Sequence, residues 1–318
     1  MGSLDDRVAL VAGATRGAGR GIAIALGEQG ATVYCSGRSV RGALASGAGR
    51  PETIDETAEL VTAAGGKGIA VRCDHTADDQ VRALVDRVRR EHGRLDVLVN
   101  DVWGGDALTE FGKTFWQVDV AKGRQMIDQA IWSHILTSHH AAPLMFDRGD
   151  RGTALIVEIT DGDFYGYRGN IFYDLVKSSV TRLAFVQARE LRKHDVAAVA
   201  VTPGFLRSEF MLEHFGVTAE TWRDGAKKDP HFIASESPLY VGRGVAALAA
   251  DPAVKQKSGR VFASWTLANE YGFTDADGSR PDWGAHWDKT FGARYRTFDD
   301  DLYDAFAGPG EVVFGDWP

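Results

Sequence analysis

The stretch that decides the fold is VALVAGATRGAGRGIAIALGEQG, residues 8–30. Its first five residues form an apolar run typical of a buried parallel strand, and GIAIALGEQG has the composition of a helix. Gly13, Gly17 and Gly19 lie between the two. Glycine lets a backbone turn tightly and approach a pyrophosphate, while a helix N-terminus offers free N–H groups and a positive dipole. A glycine trio alone is a weak signal, but in this position it predicts a dinucleotide-binding turn.

Short apolar runs recur along the chain and alternate with amphipathic stretches such as residues 78–92, where Val81, Leu84, Val85 and Val88 share one helix face. The runs expected to form strands are 8–12, 31–36, 68–73, 95–100, 154–160, 196–202 and 259–264. Such alternation is typical of α/β proteins. We therefore predict a single doubly wound Rossmann-type domain with about seven parallel strands and helices on both faces.

This domain is expected to span residues 1–264, with no linker that divides it into two cores. Two segments, 38–50 and 102–122, do not fit the simple alternation and are interpreted as insertions. Residues 265–318 form a C-terminal extension that is too rich in aromatic residues for a solvated, disordered end. We expect this extension to pack on the body of the domain or on a partner subunit.

Composition narrows the class of partner. The chain of 318 residues carries a formal charge of −8, with a pI near 5.6, which argues against nucleic acid and anionic membranes and favours a small-molecule substrate. Cys35 and Cys73 lie in apolar runs and are expected to be free, buried thiols. No apolar stretch approaches the ~20 residues of a membrane helix, and the N-terminus does not resemble a signal peptide. We expect a cytoplasmic protein without a membrane partner.

The end of the second predicted strand bears on the choice of dinucleotide. An acidic residue there would bind a ribose 2′-hydroxyl, whereas an arginine would accommodate a 2′-phosphate. No Asp or Glu occurs between Glu28 and Glu52, and the segment contains Arg38. Arg16, beside Thr15 in the glycine turn, supplies a second guanidinium group suited to phosphate oxygens. The sequence therefore predicts NADP(H) as the cofactor.

Tyr173 and Lys177 are four residues apart in a helical stretch, so their side chains lie about 40° apart around the helix axis. A nearby ammonium group favours phenolate and is expected to lower the pKa of the tyrosine toward the range in which it exchanges a proton with an alcohol or a carbonyl. A Tyr/Lys pair at this spacing is common and is not diagnostic by itself. Together with the glycine turn it predicts a catalytic pair.

With these motifs in order, the chain resembles the short-chain dehydrogenase/reductase family over residues 6 to about 264. AGATRGAG matches the family's TGxxxGxG, VNDV matches NNAG, YDLVK matches YxxxK, and PGFLRSE matches PGxxxT. The long loop after strand four is similar to that of the dehydrogenase/reductase SDR family member 1-like branch. The resemblance implies an oxidoreductase that forms a homodimer or homotetramer through the helices flanking strands four to six.

The resemblance also implies roles for single residues. Asp74, after the third strand, would contact adenine, and Asn100 would support the cofactor site. His75 would line the adenine site or lie in a surface turn. The segment beside the nicotinamide would comprise Pro203, Gly204, Phe205 and Ser208, with Ser208 at the place of the motif's threonine.

Two departures from the family pattern affect the chemistry. The stretch IVEITD places Asp161 where the family has its catalytic serine, with Thr160 one residue earlier, and no asparagine occurs at 128–131, where the family's fourth catalytic residue is expected. A serine hydroxyl stabilises the developing alkoxide, which an ionised Asp161 would oppose. Four alternatives stay open: a neutral Asp161 donates the hydrogen bond, Thr160 replaces the serine, the substrate is an imine or another cation, or the protein binds NADP(H) with little or no turnover.

The substrate pocket is expected to be aromatic, which predicts a bulky apolar or aromatic substrate. Its predicted lid is the segment 205–240, the place of the family's mobile lid. The nine histidines show no spacing typical of a metal site, so no catalytic metal is predicted. The residues expected to line the pocket are Trp103, Phe164, Tyr167 and Met211.

Overall fold

A computed structural model describes residues 2–45, 50–146, 148–149, 151–163 and 167–291. The seven strands are β1 (Val8–Ala12), β2 (Thr32–Gly37), β3 (Lys67–Arg72), β4 (Val97–Asn100), β5 (Ala154–Ile159), β6 (Val196–Thr202) and β7 (Val261–Ala263). The α-helices are α1 (Gly17–Glu28), α2 (Ile54–Ala63), α3 (Asp78–His92), α4 (Val120–Ile127), α5 (Ser133–Ala141), α6 (Ile171–Glu190), α7 (Glu209–Phe215), α8 (Pro238–Ala250), α9 (Ser264–Tyr271) and α10 (Trp283–Phe291). Each predicted strand is confirmed, with ends that differ by at most two residues.

All strand pairs are parallel, and the sheet order is β3-β2-β1-β4-β5-β6-β7. β2 and β3 extend the sheet on one side of β1, and the chain then crosses back so that β4 pairs with the other side of β1. The register pairs Ala12 with Asn100, so the turns after β1 and β4 meet at the carboxyl edge of the sheet. Ligands of doubly wound sheets bind in the crevice that forms at such a switch point.

Successive residues of the buried strands serve two different cores because side chains alternate between the faces of a sheet. Val11 belongs to the apolar cluster that packs with α1 and α8, whereas Leu10 belongs to the cluster that packs with α3 and α5. Helices therefore cover both faces, as predicted. Cys35 and Cys73 are free and buried, and desolvation raises the pKa of each thiol to about 12.

Helices α1 and α8 pack at very short range because glycines face each other. A Cβ atom on Gly21 would lie 2.0 Å from the carbonyl oxygen of Pro238, and one on Gly242 would lie 2.4 Å from the carbonyl oxygen of Gly21. No side chain fits at either position without moving a helix. This contact sets α1, and therefore the turn that precedes it, against the body of the domain.

Three segments depart from simple alternation. Residues 101–119 form an excursion between β4 and α4, and residues 203–237, which include α7, connect β6 to α8. The predicted start of the C-terminal extension, residue 265, falls inside α9, whose Leu267 belongs to the main apolar core. Trp287 of α10 is also buried, while residues 292–318 lie outside the described residues. No helix in the described part of the chain is long and apolar enough to span a membrane.

Candidate active site

The glycine turn after β1 forms as predicted. Gly13 has a φ of +92°, a conformation that favours glycine, and a Cβ there would lie 2.3 Å from the carbonyl oxygen of Asp101. A Cβ on Gly19 would lie 2.4 Å from the carbonyl oxygen of Gly13. The backbone therefore forms a close-packed cradle at the N-terminus of α1, and this cradle fits a bound diphosphate.

A carboxylate already contacts this helix end. The Gly17 N–H donates a hydrogen bond of 2.8 Å to Oε2 of Glu209, the first residue of α7. Arg20 lies 3.9 Å from the other carboxylate oxygen. Ser208 is the N-cap of α7, where its hydroxyl accepts a hydrogen bond from the N–H of Met211. Sequence reasoning missed Glu209, although its place directly after the PGxxxT-like motif was visible.

The two arginines of the cofactor prediction lie in different surroundings. Arg38 is exposed after β2, while Arg16, the N-cap of α1, has its Nε 3.6 Å from Glu52. Asp74 follows β3. Burial opposes its ionisation, but hydrogen bonds from Thr76 and the charge of Arg38 hold the pKa of Asp74 below its usual value. Arg38 and Asp74 thus influence each other at the end of the sheet where the adenosine half of a dinucleotide is expected.

His75 lies inside the protein. Its side chain is 2% exposed, its Nε2 is 2.9 Å from the Ser36 hydroxyl, and its Nδ1 is 2.9 Å from the Thr137 hydroxyl. Both ring nitrogens are therefore engaged, and burial, with a smaller effect from His134, lowers the pKa of the imidazole to about 4. The expectation that this side chain lines the adenine site or lies in a surface turn is wrong, because the chain turns it inward beneath β2.

Asn100 anchors a buried polar network below the site. Its amide nitrogen donates to Ser138 and to Oε1 of Glu158, both at 2.9 Å. Nδ1 of His134 lies 2.7 Å from Oε2 of Glu158, and Gln187 donates to Oε1 at 2.8 Å. The network ties β4 and β5 to α5 and α6. The sequence signal for this network is Glu158, a glutamate within the otherwise apolar run IVEI.

The predicted catalytic pair lies at the start of α6. The N-cap residue Asn170 accepts hydrogen bonds from the N–H groups of Phe172 and Tyr173, which sets the first turn. The Tyr173 hydroxyl donates to Oδ2 of Asp161 at 2.7 Å. The Lys177 ammonium lies one turn further on, 4.2 Å from the centre of the Trp103 ring and 5.7 Å from that of Tyr173.

The electrostatics differ from the expectation for Tyr173. Burial and the charge of Asp161 raise the pKa of the phenol well above its usual value. The prediction that Lys177 would lower this pKa is not met. Burial also lowers the pKa of Lys177, against the charges of Asp161 and Asp101. In the protein alone the phenol is therefore a protonated hydrogen-bond donor at neutral pH. The expected depression of its pKa is wrong because a carboxylate, not the ammonium, contacts the hydroxyl.

Thr160 does not face the tyrosine. Its side chain is buried and donates a hydrogen bond of 2.8 Å to the carbonyl oxygen of Lys177, within α6. Asp161, one residue later, points to the opposite side and occupies the place of the family's serine. The alternative in which Thr160 replaces that serine is therefore wrong for this geometry.

A π-helical turn, Asp128–Trp132, lies where the family's asparagine was expected. Gln129 within it is buried, and in the amide orientation that satisfies its neighbours its nitrogen donates to the carbonyl oxygens of Trp103 and Gly104 at 3.2 Å. Such turns are frequent at functional sites. Gln129 thus holds the start of the excursion that carries Trp103 over the active site.

Two further acids, which sequence reasoning missed, lie near Lys177. Asp101 follows β4 and is half-buried; desolvation raises the pKa of its carboxyl group to about 7, although the charge of Lys177 opposes this. Asp106 accepts a hydrogen bond of 2.7 Å from the Trp103 indole N–H. With Asp161, three carboxyl groups surround one ammonium. Asp101, in the motif VNDV, and Asp106, in the following loop, can be read from the sequence. Their position near Lys177 depends on the fold.

The aromatic surroundings are confirmed only in part. Trp103 and Phe111 make edge contacts with the Tyr173 ring, at centroid distances of 5.4 and 5.7 Å, and Phe111 was not predicted. Tyr167 is half-buried, and burial raises its pKa. Phe164 lies outside the described residues. Among the described residues, no group of three His, Cys, Asp or Glu side chains is placed to hold a metal, so the absence of a catalytic metal stays a prediction.

The predicted lid has an apolar core of its own. Phe215, Trp222 and Phe232 form a buried cluster against which Phe205 and Met211 pack, so these two residues contribute to the core of the lid.

The segment at Pro203 is pinned by a buried acid. The Gly204 N–H donates to Oε2 of Glu236 at 2.9 Å, and burial raises the pKa of Glu236 to about 8. A Cβ on Gly204 would lie 2.7 Å from Cβ of Trp283. Glycine is required at this position by the close approach of α10.

Comparisons with known proteins agree with this architecture. The family model for short chain dehydrogenase matches residues 7–215. The chain is 36% identical to dehydrogenase/reductase SDR family member 1 of Mus musculus and 34% identical to that of Homo sapiens, in each case over 280 residues that cover 86% of this chain and 85% of the relative.

The fold is also shared with solved structures. A short chain dehydrogenase from Mycobacterium thermoresistibile superposes with a TM-score of 0.71 at 20% identity, covering 88% of this chain and 92% of the other. Members of the matched family use a nicotinamide cofactor, NAD or NADP. On the family model and on the relatives above 30% identity, the chain belongs to the short-chain dehydrogenase/reductase family of oxidoreductases.

Proposed function

We propose that this protein is an NADP(H)-dependent oxidoreductase that transfers hydride between the nicotinamide and a carbonyl or alcohol of a bulky, apolar or aromatic small molecule. The observation that carries the proposal is the hydrogen bond of 2.7 Å from the Tyr173 hydroxyl to Asp161, with the Lys177 ammonium one turn away. This arrangement keeps a phenolic proton in place beside a cation, which is what a general acid requires.

The cofactor supplies the hydride. Gly13, Gly17 and Gly19 would cradle its diphosphate, and the exposed Arg38, with Arg16, would hold a 2′-phosphate. The other residues assigned to cofactor binding are Thr15, Asp74, Asn100, Tyr173, Lys177, Pro203, Gly204, Phe205 and Ser208. Support comes from the glycine cradle, in which an added Cβ would collide with backbone, and from the charge of Arg38 at the end of β2.

In the reductive direction a bound cofactor would supply hydride to the carbonyl carbon, and Tyr173 would give its proton to the carbonyl oxygen. The Lys177 ammonium then stabilises the phenolate that remains. The raised pKa of Tyr173 keeps the phenol protonated at neutral pH, so the proton that reduction requires is present.

The proposed substrate class rests on the aromatic surroundings of the phenol. Trp103 and Phe111, in the excursion after β4, contact the Tyr173 ring, and the half-buried Tyr167 precedes α6, which carries Tyr173. Flat or bulky apolar groups bury more surface against such side chains than small charged molecules do. A preference for a small, highly charged substrate would contradict this part of the proposal.

A second candidate, reduction of an imine or another cationic substrate, is favoured by one specific observation. Asp161, Asp101 and Asp106 all act electrostatically on Lys177, so the reaction centre holds more acidic than basic groups. A carboxylate that opposes an alkoxide would stabilise an iminium ion.

We also propose that the chain forms a homodimer or homotetramer and acts in the cytoplasm. Support for the oligomer comes from large apolar side chains that α6, α5 and the turn before α5 leave exposed: Trp132, Ile135, Leu175, Phe185 and Val186. Support for a reducing compartment comes from the two free cysteines. Sedimentation velocity of the purified protein tests the oligomer, and a monomer at micromolar concentration would contradict it.

The experiment that tests the function begins with fluorescence titrations of the purified protein with NADPH and NADH. NADPH consumption is then followed with aryl ketones, quinones and cyclic imines. Turnover that disappears in Tyr173→Phe while the variant still binds NADPH at the concentration of the assay supports an oxidoreductase, and the product separates alcohol from amine chemistry. Tighter binding of NADH than of NADPH contradicts the cofactor assignment. NADPH binding without turnover across the panel contradicts the enzyme and leaves a dinucleotide-binding protein.

A further inference from the structure

The N-terminus of α1 is flanked by two carboxyl groups. Oε2 of Glu209 accepts the Gly17 N–H at 2.8 Å, and Oδ2 of Asp101 lies 2.8 Å from the position of a Cβ on Gly19. The backbone carbonyl oxygen of Asp101 would lie 2.3 Å from a Cβ on Gly13, so Asp101 also packs against the glycine turn. Both acids therefore lie at the helix end whose free N–H groups and dipole are suited to an anion. A diphosphate that binds there meets two groups of its own charge sign.

The motif comparison shows that Asp101 is unusual. VNDV aligns with the family's NNAG, so Asp101 stands where the family has an alanine. An alanine would leave the glycine turn uncharged on this side. The substitution adds an ionisable group, half-buried, between the first turn of α1 and the ammonium of Lys177.

We propose that Asp101 couples cofactor binding to protonation: its carboxyl group takes up a proton when the diphosphate of the dinucleotide binds at the glycine turn. This inference rests on the proposed function, since it requires a nicotinamide dinucleotide at that turn. Asp101 acts as a positioning residue for the cofactor, because its proton removes the repulsion that would otherwise oppose the diphosphate.

The groups around Asp101 set its proton affinity in the free protein. Lys177 on α6 and His134 on α5 favour its ionised form, as does the N–H of Gly19 on α1, whereas Asp106 in the excursion after β4 opposes it. Desolvation is the largest influence and raises the carboxyl pKa to about 7. At neutral pH the group is therefore close to half ionised, and a diphosphate nearby shifts it toward the neutral form.

Glu209 differs from Asp101 because a second partner, Arg20, lies beside its carboxylate. Arg20 lies 3.9 Å from its second oxygen, so the Glu209 side chain keeps a cationic neighbour when it releases the Gly17 N–H. It therefore serves as the matched control: it lies at the same helix end, but no proton uptake is assigned to it.

The sign of the pH effect follows from linkage. If the complex holds a proton that the free protein has partly lost, cofactor affinity falls as pH rises above about 7. We expect the NADPH Kd of the wild-type protein to rise on the order of tenfold from pH 6 to pH 8. Calorimetric titration at pH 7.5 in phosphate and in Tris should show an uptake of between about one half and one proton, because the two buffers have different ionisation enthalpies.

Asp101→Asn keeps the shape of the side chain and removes its ionisation. We expect it to bind NADPH with a Kd that varies by less than about threefold over this pH range and with almost no proton uptake. The 2′-phosphate of NADPH, which titrates near pH 6, contributes equally to both proteins. Glu209→Gln should bind a few times more tightly at every pH but keep the wild-type pH slope. If Asp101→Asn does not fold, Asp101→Ala, which restores the family residue, is used instead.

The outcomes separate the two proposals. NADPH binding to the wild-type protein without proton uptake, or the same uptake in wild type and Asp101→Asn, overturns this inference and leaves the oxidoreductase intact. Failure of the wild-type protein to bind either NADPH or NADH overturns the proposed function and this inference with it. Calorimetry reads binding directly and requires no turnover.

Discussion

The Tyr173 hydroxyl donates a hydrogen bond of 2.7 Å to Oδ2 of Asp161, so the proton donor of the active site is held by an acid in place of the family's serine. The same carboxylate raises the pKa of the phenol and supports the ammonium form of Lys177. One substitution thus changes both members of the catalytic pair, and its effect can be measured.

Asp161→Ser should restore a neutral hydroxyl beside Tyr173. We expect kcat/KM for an aryl ketone to rise about tenfold or more, since an ionised acid no longer opposes the developing alkoxide. The fall of kcat/KM at high pH should begin at a lower pH than in the wild type, because the pKa of Tyr173 decreases when the neighbouring charge is removed. Steady-state kinetics from pH 6 to pH 10 measure both effects.

Thr160→Val is the control for this experiment. The Thr160 hydroxyl donates to a helix carbonyl and not to the tyrosine, so this change should alter kcat/KM by less than about threefold and cost about 1 kcal/mol of stability. A loss of activity in Thr160→Val well beyond threefold, with no gain in Asp161→Ser, would show that Thr160 and not Asp161 acts on Tyr173.

Arg38→Ala should weaken NADPH binding and leave NADH binding nearly unchanged. Removal of a charge-assisted contact to a phosphate costs roughly 1.5–3 kcal/mol, which corresponds to a Kd for NADPH about 10 to 150 times higher. Fluorescence titration measures both constants. Arg41→Ala is the matched control, since Arg41 is exposed in the same loop but is paired with Glu59. Equal losses for NADPH and NADH in Arg38→Ala would argue against a contact to the 2′-phosphate.

His134→Ala should destabilise the fold strongly. It leaves Oε2 of the fully buried Glu158 without the partner that lies at 2.7 Å, and a buried polar group left unpaired costs about 1–3 kcal/mol. Urea unfolding gives this free energy. His140→Ala, on the same helix, breaks only a more exposed pair with Asp78 and should leave the free energy of unfolding nearly unchanged. Similar costs for the two variants would contradict a structural role for the network.

His75 should make the fold sensitive to mild acid. Its pKa is lowered to about 4 in the folded protein, whereas the unfolded chain has a value near 6.5. The unfolded state therefore binds a proton first, and stability is lost as pH falls from about 6.5 to 4. The loss of stability is about 3 kcal/mol, because each unit of difference between the two pKa values corresponds to about 1.36 kcal/mol.

Urea unfolding at pH 7 and at pH 4.5 measures this loss in the wild type. His75→Gln, which keeps a polar side chain near Ser36 and Thr137, should be less stable at pH 7 and should lose less stability on acidification. An equal loss in both proteins would assign the acid sensitivity to other groups.

Much of the candidate site could be predicted because its members follow strand ends. Gly13 and Asp161 follow parallel strands and Asn100 ends one, and such strand ends converge on one edge of the sheet whatever lies between them. Spacing within one element was equally informative: Tyr173 and Lys177 lie on one helix face because four residues make about one turn. The sequence did not predict in which direction single side chains point near the ends of strands.

The sequence by itself determined the order of strands and helices, the glycine turn and the spacing of the proposed catalytic pair, because these depend on local periodicity and on motifs contiguous in the chain. Only the tertiary structure decided that Asp161 rather than Thr160 faces Tyr173, that His75 turns inward, and that Asp101 and Glu209 meet at one helix end. These relationships join residues 12 to 192 positions apart, and their distances and desolvation depend on how separate elements pack. No local pattern encodes that packing.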